Sequence, residues 1–202
     1  FGMVEDSVAV VIGAMVIAPL LGPVLAFSVG VALGEVRLIG RAALSMLEGI
    51  GLAVALGAGL ALTLPLDLAA PELVARTEVR LDSMAIALAS GAAAALSLVT
   101  GVPATLVGVM VAVALLPPAT AAGLFLGGGD RVSAGDAALL LATNVVCVTL
   151  AAQAVLLVTG MTPRTWFERR RAILGSLLNA AIWAALLAIL VSVVIARGPV
   201  PG

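Results

Sequence analysis

No charged side chain falls from residue 7 to 34, and none from 83 to 129. A soluble domain must cover its surface with polar groups and usually carries about 25% charged residues. An apolar run beyond about 18 residues is instead long enough to cross bilayer hydrocarbon as a helix. With 63% hydrophobic and 10% charged residues over 202 positions, the rest of the chain agrees. These runs predict an all-α integral membrane protein whose first partner is the lipid bilayer.

Six apolar segments can be marked, over 7–33, 42–64, 83–100, 104–126, 134–159 and 173–196. Asp6-Ser7 and Asp82-Ser83 stand where N-caps belong, and in the break before the last segment Thr162 reads as a cap with Pro163 at the first helical position. The longest connection, 65–83, holds Glu72 and Arg76 four apart, so it is either a short helix from Pro71 or a solvated loop. Near its end the chain reads R-T-W-F-E-R-R-R (164–171), aromatics beside an Arg cluster, as at a membrane–water interface. The chain starts without an initiator methionine, a basic n-region or a signal-type cleavage site, so it is expected to be a fragment whose upstream residues were removed.

Shifting the chain by 95 residues lays G-A-M-V-I-A-P-L-L-G-P-V-L-A (13–26) over G-V-M-V-A-V-A-L-L-P-P-A-T-A (108–121). Of the 34 pairs formed by 11–44 and 106–139, 12 are identical, and Glu35 falls on Asp130. The single domain, 1–202, therefore divides into two three-segment repeats, about 7–100 and 104–197. If every segment crosses, the odd count inverts the second repeat relative to the first, as in many secondary transporters. If the first and fourth segments enter and leave on one side, the repeats are parallel. With six crossings, Arg37, Arg41, Arg164, Arg169, Arg170 and Arg171 share one side, and Arg76, Arg80, Arg131 and Arg197 the other. The positive-inside rule puts the larger group in the cytoplasm.

The first and fourth segments are both interrupted by proline, with Pro23 and Pro118 at matched positions. Pro19, Gly22 and Pro23 stand in one, Pro117 and Pro118 in the other. Proline lacks an N–H and collides with the preceding turn, so both segments are expected to break. Backbone groups released at membrane depth need a partner that hydrocarbon cannot supply, which makes such breaks candidates for a wet pathway. Half-helices ending near Ala18 or Ala114 would offer carbonyls to cations, and those starting after Pro23 or Pro118 would offer N–H groups to anions. Gly13 and Gly108 open the two stretches. Glu48, in the second segment, and Asn144, in the fifth, are the polar side chains expected to line the route. The alternatives are that Glu48 reaches the headgroups and that Asn144 bonds between helices. Gly30-xxx-Gly34 and Gly123-xxx-Gly127 suit close helix packing, and such faces also suit a homo-oligomer.

Other chemistries are poorly served. The net charge of −1 gives no basic footprint for nucleic acid. Histidine is absent and Cys147 is the one cysteine, so neither a disulfide, a Cys–His metal site nor any cofactor is expected. G-G-G-D (127–130) matches the G-x-G-D of intramembrane aspartyl proteases, but that chemistry needs two apposed carboxylates, and Asp136 sits at a segment edge. No G-x-S-x-G elbow occurs, and no catalytic constellation emerges.

S-V-A-V-V-I-G-A-M-V-I-A-P-L-L-G-P (7–23), A-R-T (75–77), V-A-V-A-L-L-P-P (111–118) and T-N (143–144) together resemble a bacterial and archaeal membrane family, domain of unknown function 389. Asp6 departs from the asparagine that commonly precedes the serine. The resemblance implies a prokaryotic cytoplasmic (inner) membrane protein, often with a soluble N-terminal region, and brings no established activity. The residues then favour a transporter or channel for a small solute or ion, with a membrane scaffold or sensor serving a soluble domain as the alternative.

Overall fold

In the structure, a computed structural model, the residues described are 2–17, 20–101, 104–160, 179 and 181–193. All regular elements among them are helical: α1 (Val8–Ile17), α2 (Leu21–Leu33), α3 (Val36–Thr63), α4 (Pro71–Val74), α5 (Leu81–Thr100), α6 (Ala104–Gly127), α7 (Arg131–Val158) and α8 (Ala181–Val193). Four helices, in α3, α5, α6 and α7, are long and apolar enough to cross a membrane. At 1.5 Å per residue, α3 and α7 reach about 42 Å, more than the roughly 30 Å of hydrocarbon. The outer face of α3 carries exposed leucines such as Leu44, Leu52, Leu56 and Leu62, as befits side chains that meet lipid rather than water.

Helix α6 is apolar on every side and is the buried centre. Val111, Leu115, Pro118 and Leu124 are almost wholly enclosed, as a helix hydrophobic all round requires. Two apolar clusters give its sense relative to α3. Met46 and Ile50 pack with Val111 and Leu115, while Leu60 and Ala61 pack with Leu124 and Phe125, so both run the same way. On the other side Gly91 meets Val148, and Ala95 meets Ala152 and Leu156, so α5 and α7 run together in the opposite sense. Close approach makes these contacts. A Cβ on Gly91 would overlap the Val148 carbonyl, and one on Gly123 the Val54 carbonyl.

The first apolar segment traverses the full height of α3. Near its start, Asp6 accepts from the Glu72 N–H at 3.3 Å, beyond the C-terminal end of α3. At its finish, Gly30 lies against Ile39, just after the start of α3. Asp6 thus ties the N-terminal turn to α4 rather than capping α1. Likewise α5 begins at Leu81 with Arg80 at the cap position, which leaves Asp82 and Ser83 inside the first turn. The connection from Pro71 does form a short helix, and Arg76 pairs with Glu72 at 2.9 Å.

Two turns are built alike. Gly34 (φ 71°) and Gly129 (φ 87°) take the left-handed conformation, which only glycine adopts without steric cost. In the first, Glu35 N–H donates to the Gly30 carbonyl at 2.8 Å and Gly34 N–H to Val31 at 3.2 Å. In the second, Asp130 N–H donates to Phe125 at 2.9 Å and Gly129 N–H to Leu126 at 3.3 Å. The helices that follow are both 28 residues long and start 95 apart (131 − 36).

The expected break in the fourth segment does not occur. α6 runs unbroken through Pro117 and Pro118, whereas α1 ends at Ile17 and a separate helix begins at Leu21. Nor does the second half-helix wait for Pro23. That residue is the third of α2, where a missing N–H would have no intrahelical partner anyway.

Candidate functional site

The reason α6 stays whole lies on its neighbour. Pro118 has no N–H to give the carbonyl four residues earlier, that of Ala114. Asn144, on α7, supplies the missing donor: its Nδ2 lies 2.8 Å from the Ala114 oxygen. Both residues are 5% exposed. A side-chain amide thus replaces a backbone one inside an apolar interior, where an orphaned carbonyl would cost about 1–3 kcal/mol. The other amide atom, Asn144 Oδ1, is enclosed and has no hydrogen-bond partner among the described residues. The centre of the molecule thus holds a buried acceptor left over beside a proline-bearing helix.

On the opposite side of α6, a cavity of about 310 Å³ opens against α1. Val10, Val11 and Ala14 form one wall, and Leu116, Pro117 and Thr120 the other, with Gly2 and Met3 of the N-terminal turn over one end. Its lining is apolar apart from the Thr120 hydroxyl, which donates back to the Leu116 carbonyl at 3.0 Å. No ionisable side chain lines it. Such a space suits a small molecule of low polarity better than a bare ion.

The residues expected to line a route are only partly brought together. Ala114, Pro118 and Asn144 meet, and Pro117 reaches the cavity. Gly108 sits lower on α6 against Leu21, whose Cδ2 is 3.5 Å from where a Cβ would be. Gly13 and Gly22 are exposed and Pro23 is half-buried. Ala18 and Pro19 lie outside the described residues, as do Thr162, Pro163 and the Arg cluster at 164–171. Glu48 does not share a cavity with Asn144. It is exposed on α3, on the face away from the buried Ala42, Met46, Ala53 and Gly57, because seven turns of α3 turn that second face to α6 and the segment before it. Leu20, just before α2, is enclosed among Met46, Val111 and Leu115.

Ala14 and Thr120 were not singled out by the sequence. Both lie in the two matched stretches, but nothing in their spacing says that α1 packs on α6. Gly123 and Gly127 serve as expected in helix packing, against Val54 and Ala58 of α3. Cys147 is fully buried in the apolar core, and Gln153 Nε2 donates to Asn179 Oδ1 at 3.1 Å, a hydrogen bond between two side-chain amides. Among the described residues no group of three or more acidic, His or Cys side chains gathers as a metal site would require. At the α7 start Asp130 accepts from the N–H groups of Val132 and Ser133, both at 3.1 Å, and from the Ser133 hydroxyl at 2.6 Å. The Ser133 hydroxyl and amide hold its carboxyl below the ordinary value.

Comparison with known proteins agrees on the family and on nothing finer. Residues 15–150 match the family described as domain of unknown function (DUF389). An uncharacterized protein of Methanocaldococcus jannaschii is 31% identical over 185 residues, which are 92% of this chain and 58% of that relative. The chain thus spans less than two thirds of the length of that relative. No solved structure matches significantly. With the greater part of its length covered by that family's pattern, the chain belongs to the DUF389 family.

Proposed function

We propose that the chain is the membrane-embedded part of a transporter or channel for a small solute, in a prokaryotic cytoplasmic membrane. One observation carries the reading. At mid-height, a helix interrupted in one half of the chain (α1–α2) stands beside a proline-bearing helix in the other (α6), with a cavity between α1 and α6 and a spare buried acceptor behind. The halves are read as inverted repeats, supported by the two like turns and by the opposite senses of α3 and α7. In such proteins the substrate site lies at the repeat interface, near discontinuous helices. The apolar lining favours a neutral or weakly polar solute over an ion.

The test is flux from liposomes holding the purified protein, over a panel of small neutral solutes and inorganic ions. The expected result is release of a neutral solute above empty vesicles, cut at least roughly tenfold by Ala14→Trp, which fills the cavity. Flux unchanged by Ala14→Trp would place the route elsewhere. A second reading, a non-transporting scaffold for an attached soluble domain, draws on the unbroken α6 and the apolar packing at Leu20. It predicts no flux for any solute, and complete protection of Ala14→Cys from a water-soluble thiol reagent in a Cys147→Ala background.

A further inference from the structure

Helix α3 uses one face for the rest of the chain and leaves the other bare. Its buried residues, Ala42, Met46, Ala53 and Gly57, look toward α6 and the first segment. On the opposite face, at helical spacing, stand Arg41, Ser45, Glu48, Gly51, Ala55 and Gly59, all exposed. Glu48 is the only charge from residue 42 to 63, and it lies about 10 Å along the axis from Arg41. A carboxyl at that depth, facing outward, has no acceptable partner in hydrocarbon.

The residues around Glu48 suit a second helix laid against it. Gly51 and Gly59 have no atom within 4 Å of where a Cβ would lie, and with Ala55 they form a small-residue stripe of spacing four that exposes backbone. Inside the molecule that spacing is used for helix contact: Gly123 and Gly127 meet the α3 backbone at Val54 and Ala58. Ser45, one turn before Glu48, makes no hydrogen bond among the described residues. In contrast, Ser28, Ser90, Thr120 and Thr143 each bond back to the carbonyl four residues earlier. A hydroxyl donor and a carboxyl acceptor three residues apart on one bare face are self-complementary about a two-fold axis.

We propose that this face of α3 is the interface with a second copy of the chain. The two α3 helices cross near Gly51, where the absence of side chains lets the backbones approach. Glu48 of each copy then accepts from Ser45 of the other, out of reach of lipid. The interface is independent of the transport reading, since it lies across α3 from the cavity.

The experiment uses the full chain in liposomes, with Ala55→Cys in a Cys147→Ala background and a membrane-permeant oxidant. A disulfide-linked dimer is expected, at least roughly tenfold more abundant than with Ile86→Cys, which is exposed on α5. Gly51→Leu should cut that yield about tenfold, and Ser45→Ala with Glu48→Ala should lower it as well. A Cβ at Gly51 would meet nothing beyond its own helix, so the fold of one copy is spared. Stepwise photobleaching of dye-labelled protein with Cys147 intact should count two copies in dilute vesicles. Single-step bleaching throughout, equal crosslinking at Ile86→Cys, or a dimer indifferent to Gly51→Leu would overturn the proposal, leaving Glu48 to be covered by a lipid headgroup.

Discussion

Asn144 and Gly49 explain how two similar stretches come to differ. They are matched positions (144 − 49 = 95) on α7 and α3. Asn144 hands a donor to the carbonyl that Pro118 releases, and α6 continues. Gly49 has no side chain to hand over, and Leu20 Cδ2 lies 3.0 Å from where its Cβ would be; the described residues of the first segment form two helices, α1 and α2. Asn144→Ala should therefore cost about 1–2 kcal/mol in wild type. In a Pro118→Ala background the backbone N–H returns, and the same change should cost at least ~1 kcal/mol less. Unfolding of the four variants in detergent gives this coupling directly; additive effects would deny it. At the other end of α7, Asp130→Ala should cost about 1 kcal/mol as a lost N-cap. Because the folded carboxyl sits below its ordinary value, that contribution is complete above about pH 3.9. It vanishes as the pH falls through the lower folded pKa, so unfolding curves of wild type and Asp130→Ala should converge in strong acid.

Helix ends were far more legible than helix faces. The apolar segments at 83–100 and 104–126 nearly coincide with α5 and α6, since Gly101 and the Gly127–Gly129 run stop helices by known chemistry. α3 and α7 begin ahead of their apolar segments because both extend past hydrocarbon, where Arg37, Arg41, Arg131 and Asp136 are at ease. Faces are another matter. In a soluble helix, polarity marks the outside; on α3 the buried Ala53 and Gly57 and the exposed Ala55 and Gly59 are the same residue types. The two readings of Glu48, route or headgroup, are therefore indistinguishable from its neighbours in sequence, and the continuity of α6 is hidden because a proline's cost depends on the helix beside it as well as on its own. Where faces are known, packing predictions become sharp. A side chain at Gly91 must push α5 off α7 at Val148, so Gly91→Leu should lose about 1–3 kcal/mol, read as a lowered thermal midpoint. The equally helical but open Gly135→Leu should leave that midpoint nearly unchanged.

On the scale of the whole molecule, α6 is an axle around which two sets of helices run in opposite senses. α3 and α6 rise together, while the α1–α2 pair, α5 and α7 descend, and α8 continues from the end where α7 finishes, with Trp183 edge-on to Phe27 at 5.8 Å. The turn at Gly34 and its look-alike at Gly129 therefore cap opposite ends of the bundle. The functional reading stands or falls with that arrangement, because alternating exposure of a central site needs halves that face opposite ways. The direct measurement places single cysteines at Val36 and at Val132, both about three-quarters exposed (77% and 76%), in a Cys147→Ala background. An impermeant thiol reagent is then added to intact cells and to inverted membrane vesicles. The account predicts that one cysteine reacts only in cells and the other only in vesicles. Labelling of both from the same side would contradict it.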